Sequence, residues 1–137
     1  MTRVILDTGP LVALLSTQDA RHRWAQETIS RLESPLSTCE AVITEACYLL
    51  RRTARGVEGV LTLVSRGIVM PSFLLSSEVD AVAGLMTKYA TVPMSLADAC
   101  LVRMTELAPR AAVITLDRYF RVYRRNGRQA IPVIMPE

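Results

Sequence analysis

The chain has 137 residues, half of them hydrophobic, and its 16 basic against 13 acidic residues leave a formal charge of +3. One domain over residues 1–137 is expected, able to bury roughly two-thirds of its unfolded surface, and no apolar run approaches the ~20 residues of a membrane span. The opening MTRVILD has neither the apolar stretch nor the cleavage site of a secretory signal, so a cytoplasmic location is expected.

In chain order, Val4 to Leu6 is a short apolar run that reads as a strand buried on both faces. Asp7 stands at its end, Thr8-Gly9-Pro10 turns the chain, and Pro10 suits the first turn of a helix through LVALLS. An amphipathic helix is expected from about Arg21 to Glu33, with Trp24, Ile29 and Leu32 inward and His22 as a surface or capping residue. After Ser34-Pro35, Leu36 to Thr38 reads as a very short strand. Ser37 and Glu40 have capping-box spacing for a helix from about Cys39 to Ala54.

Gly56 and Gly59 punctuate before a weaker helix ending at Gly67, and Ile68 to Met70 reads as a strand closed by Pro71. Ser76 or Ser77 is a candidate cap for a helix to about Ala90. Pro93 interrupts, and Ser95-Leu96-Ala97-Asp98 opens a helix to about Leu107. Ala111 to Thr115 is a strand leading to Leu116-Asp117. A short helix, an Asn126-Gly127 turn and a strand from Ile131 to Ile134 complete the reading. Strands alternating with helices imply a mainly parallel sheet covered on both faces, a three-layer α/β/α sandwich.

Ligands in such sheets bind beyond the carboxyl ends of the strands, and Asp7 and Asp117 both follow a strand at that end. Glu45 interrupts a largely apolar helix, and Asp98 lies in the first turn of another. Each acid has an ordinary structural role open to it. Asp7 can hold an Asx turn, Asp98 can complete a capping box with Ser95, Asp117 can cap the RYFR segment, and Glu45 can be a solvated helix residue. Together, however, they would repel one another unless a cation neutralised them. Oxygen ligands without histidine or cysteine favour Mg²⁺ or Mn²⁺. A metal in such a site activates water for phosphodiester hydrolysis.

The ordered set VILDTGPLVALL, AVITEACYLL, SLADACLV and VITLDRYFRVY, with Thr115 to Phe120 as T-x-D-x-x-F, resembles the PIN-domain family, including the VapC-type toxin ribonucleases. The resemblance spans nearly the whole chain. It implies a PIN-like fold in which Asp7, Glu45, Asp98 and Asp117 converge on one or two Mg²⁺ or Mn²⁺ ions for RNA cleavage, with Thr115 and Thr8 shaping the site. It also implies a homodimer and a small antitoxin protein as partners, although PIN domains also serve in RNA processing without an antitoxin.

Fifteen of the 16 basic residues are arginines, Lys88 being the exception, and arginine's planar fork suits phosphate. Arg51, Arg52 and Arg55, and also Arg118, Arg121, Arg125 and Arg128, are candidates for holding RNA phosphates beside the acids, or are solvated surface residues. Tyr119 and Tyr123 are candidates for base stacking or core packing, and Phe120 for the core. Cys39, Cys47 and Cys100 lack CxxC spacing and read as small buried hydrophobes. A haloacid-dehalogenase-type phosphatase would need an acid at Gly9, and a receiver-type domain a late lysine. The remaining rival is a non-catalytic module that binds metal or RNA without turnover.

Overall fold

Three consecutive apolar residues, Val4–Leu6, are wholly buried and form the central strand β1 of the computed structural model, which describes residues 3–137. Met1 and Thr2, with which the N-terminal reading began, lie outside the described residues. Helices α1 (Thr8–Leu15) and α2 (His22–Ser30) lead to β2 (Leu36–Cys39), and α3 (Glu40–Leu49) and α4 (Gly56–Ser65) lead to β3 (Val69–Phe73). Helices α5 (Leu75–Lys88) and α6 (Leu96–Leu107) then precede β4 (Ala112–Ile114). A one-turn 3-10 helix (Arg118–Arg121), a hairpin of β5 (Arg124–Arg125) and β6 (Gln129–Ala130), and β7 (Val133–Ile134) complete the chain.

The main sheet has the order β3-β2-β1-β4-β7, and every pairing in it is parallel. Helices α1 to α4 pack on one another and α5 packs on α6; the right-handed sense of parallel crossovers sets these two groups on opposite faces. The expected layered α/β architecture is thus observed. Ile5, Leu6, Leu11, Val42, Leu101, Ile114 and Phe120 lie in the continuous core, and Trp24, Ile29 and Leu32 pack against it, as the amphipathic pattern predicts. Cys39 and Cys100 are buried free thiols and Cys47 is half-buried.

Several local expectations are corrected. Ser37 forms no cap with Glu40, because it is committed to the sheet between Ile5 and Met70, and Cys39 stands at the N-cap without a side-chain bond. The helix expected to reach Ala54 stops at Leu49, and the next begins at Gly56 itself. A Cβ at Gly56 would lie 2.7 Å from the Leu50 carbonyl oxygen, so this glycine permits a tight turn between two helices. Pro71 does not close β3 but lies within it, as an edge strand allows. Leu74, rather than Ser76 or Ser77, precedes α5.

Candidate functional site

The chain steps outward from β1 to β2 and β3, then returns to the other side of β1 at β4. The crevice at the carboxyl ends of β1 and β4 is therefore the point where strand order reverses, the usual ligand position in parallel sheets. Asp7 follows β1 and Thr115 follows β4, with Leu6 and Ile114 in register between them. There the Thr115 hydroxyl donates to Asp7 Oδ2 at 2.6 Å and accepts from the Asp117 amide at 2.9 Å. The Thr8 amide donates to Asp7 Oδ1 at 2.7 Å, so the Asp7 carboxylate is fixed from both oxygens and also caps α1.

The other two sides come from helices. Asp98 is the N3 residue of α6, where the Ser95 amide donates to Asp98 Oδ2 at 3.0 Å and the Asp98 amide donates to Ser95 Oγ at 3.0 Å. The capping box read from the sequence is thus formed, and it leaves Asp98 facing the site. Asp117 caps the 3-10 helix by accepting from the Tyr119 amide at 2.9 Å. Glu45 projects from α3 and is exposed. It caps nothing. All four acids, with Thr8, Gly9, Leu49, Ser95 and Leu116, line one open cleft of about 380 Å³.

Electrostatically the cleft is unbalanced. Among the described residues the ion pairs are those of Arg103 with Glu78 and Glu106, so none of the four cleft acids has a cationic partner. Burial pushes the Asp7 carboxyl up to about 6 against the hydrogen bonds from Thr115 and Thr8, with further upward pressure from Asp98 and Asp117. Burial also raises Asp98, followed by the charge of Asp117, and burial raises Glu45, followed by the charge of Asp98. The Thr8 hydroxyl is buried in the same cleft without a hydrogen-bond partner among the described residues.

These observations fit a divalent cation: hard oxygen donors, uncompensated negative charge and an orphaned hydroxyl share one opening. Among the described residues, no three acidic, histidine or cysteine side chains stand close enough together to hold a metal ion as they are placed. The sequence-predicted residues are therefore brought to one cleft, but they are not drawn together around a single point.

A second opening of about 470 Å³, lined by Arg21, Arg118 and Arg121 with Met135, Pro136 and Glu137, shares Leu116 with the acidic cleft. Arg118 and Arg121 are where the sequence suggested phosphate contacts. Arg21 was not anticipated, since only the tertiary fold brings the start of α2 to them. Arg51 stacks over the Tyr48 ring at 3.9 Å and donates to the Tyr48 carbonyl, while Arg52 is exposed nearby. The arginine spacing does not form the expected helix beyond one 3-10 turn, because Arg124 and Arg125 enter the hairpin. Tyr119 is exposed, whereas Tyr123 and Phe120 are wholly buried.

The sequence matches the description "PIN domain" over residues 4–126. It is also 27% identical over 136 residues to Ribonuclease VapC26 of Mycobacterium tuberculosis (strain ATCC 25618 / H37Rv), an alignment covering 96% of this chain and 99% of that protein.

Proposed function

The chain belongs to the PIN-domain family, and from that premise we propose that it is an endoribonuclease dependent on Mg²⁺ or Mn²⁺, the toxin of a toxin–antitoxin pair. The observation that carries this reading is four acids, Asp7, Glu45, Asp98 and Asp117, lining one cleft with no cationic partner among the described residues. The similarity to a protein named ribonuclease supports RNA as the substrate. The resemblance to the VapC-type toxins is what supports a small antitoxin protein and a homodimer as partners.

In this mechanism Asp7, Glu45, Asp98 and Asp117 are the residues that would hold the divalent ion. The chemistry such an ion would supply there is activation of a water and neutralisation of charge developing on the phosphodiester. The chain's own contribution is orientation. Thr115 fixes Asp7 and the Asp117 backbone together through one hydroxyl, and the capping box fixes Asp98. The Thr8 hydroxyl, buried and unpartnered among the described residues, is available to a water or a phosphate oxygen. Arg21, Arg118 and Arg121 offer forked donors to phosphates of the flanking RNA across Leu116.

Incubating the protein with single-stranded and structured RNA tests the proposal. Cleavage with Mg²⁺ or Mn²⁺, lost in EDTA and lost in Asp7→Asn, is expected. Cleavage that survives both treatments overturns it. RNA binding without cleavage under any metal would instead assign a binding module, and an active chain with no co-expressed small partner would assign an RNA-processing nuclease.

A further inference from the structure

Asp98 is held by more than its helix cap. Tyr123, wholly buried, places its hydroxyl 3.3 Å from Asp98 Oδ2 and 3.0 Å from the Pro93 carbonyl oxygen. Its ring packs edge-on against Tyr89 at 5.2 Å and against Phe120 at 5.3 Å. The capping box of α6 needs only Ser95 and Asp98, and a phenylalanine ring would fill the same space. The hydroxyl therefore adds something that neither helix start nor core packing requires.

The Ser95 amide and the Tyr123 hydroxyl, whose one proton is shared between Asp98 and the Pro93 carbonyl oxygen, reach the same carboxylate oxygen, Asp98 Oδ2. Rotation of the carboxylate about its Cβ–Cγ bond would break both contacts. Oδ1 has no hydrogen-bond partner among the described residues and is the oxygen left for the cleft. The same hydroxyl ties the segment that follows Asp117 to Pro93, at the entrance to α6. It thus couples two parts of the chain that each carry a cleft acid.

We propose that Tyr123 is a positioning residue whose hydroxyl locks the Asp98 carboxylate with Oδ2 turned inward and Oδ1 toward the cleft. The inference rests on the nuclease reading only for the role of Asp98; the lock itself is a property of the metal-free chain. A group that orients a ligand in this way is worth about 10- to 100-fold in metal affinity or activity.

The test compares Tyr123→Phe with Tyr89→Phe. Tyr89 belongs to the same aromatic cluster and also loses one buried hydroxyl contact, since it accepts from the Arg124 amide at 2.8 Å, but it touches no acid. Three readouts are taken: the melting temperature, Mn²⁺ binding to RNA-free protein followed by the spin resonance of free Mn²⁺, and the Asp98 carboxyl ¹³C resonance of metal-free protein at fixed pH. The expected result is a similar drop in melting temperature for both variants, with a shifted Asp98 resonance and about tenfold weaker Mn²⁺ binding in Tyr123→Phe alone. An unmoved Asp98 resonance in Tyr123→Phe, or equal changes in the two variants, overturns the proposal. If wild-type protein binds no Mn²⁺, the metal reading fails on its own, and the Asp98 resonance still decides whether Tyr123 holds that carboxylate.

Discussion

Two clefts of nearly equal size open on the sheet, and they differ in charge. One, about 390 Å³, lies beside the residues leading into β1 and β2 and is lined by one residue of each sign, Arg3 and Glu33, among serines, Pro35 and Met70. The other, about 380 Å³, lies past the ends of β1 and β4 and gathers four acids without a base. Volume therefore says nothing about function here. The chemistry follows from direction: parallel strands end where helices begin, so the positive ends of α1 and α6 and the free amides around them tolerate carboxylates that the opposite end would not. Asp7, Asp98 and Asp117 each cap a helix while facing the cleft. Glu45 has no such local task.

The largest expected effect is Asp7→Asn, which removes a charge from the acidic cleft. We expect RNA cleavage to fall more than about 100-fold, beyond the usual cost of losing an outer-shell partner, measured at saturating Mn²⁺. Glu45→Gln should reduce cleavage by a comparable factor, but its stability should stay within about 0.5 kcal/mol of wild type by denaturant titration, because the side chain is exposed and unpaired. A stability loss in this variant would show that Glu45 has a structural role after all.

Thr115→Val should cost about 1–3 kcal/mol by leaving the Asp117 amide and an Asp7 oxygen unsatisfied, with cleavage reduced about 10- to 100-fold.

The difference between the clefts also has a pH signature. With its carboxyl raised to about 6 from an ordinary 3.8, Asp7 binds a proton more tightly in the folded chain than in the unfolded one. Its contribution favours folding below pH 4 and is lost as pH rises through about 6. In EDTA, Asp7→Asn should therefore gain stability relative to wild type between pH 4 and pH 7, by up to roughly 3 kcal/mol, each pKa unit being about 1.4 kcal/mol. Denaturant titrations across that range check the sign, and added Mn²⁺ should reverse the advantage. The smallest effect is expected at the other cleft, where Glu33→Gln should leave cleavage within about twofold; a larger loss would move the active region away from the acids.

What the sequence revealed and what it hid follow from the range of the contacts. Val4 to Leu6 and Ala112 to Ile114 were legible as strands because burial on both faces makes them continuous apolar runs. The Ser95–Asp98 box was legible because its partners are three residues apart. Ser37 and Glu40 have the same spacing, yet the sheet claimed Ser37, a choice made by strands 32 and 33 residues away at Ile5 and Met70. The hairpin around Asn126-Gly127 showed its turn but not its strands, because Arg124, Arg125 and Gln129 carry no apolar alternation. Tyr123 looked like any partly buried aromatic; its bond to Asp98, 25 residues back, leaves no local trace.

The claim that the four acids share a divalent cation is tested most directly by the anomalous scattering of crystals soaked in Mn²⁺. The account predicts a peak in the cleft lined by Asp7, Glu45, Asp98 and Asp117, bonded to Asp7 and at least one other of these carboxylates, and its loss in Asp7→Asn. Protein that cleaves RNA with Mn²⁺ yet shows no peak there, or shows its peak elsewhere, would contradict it.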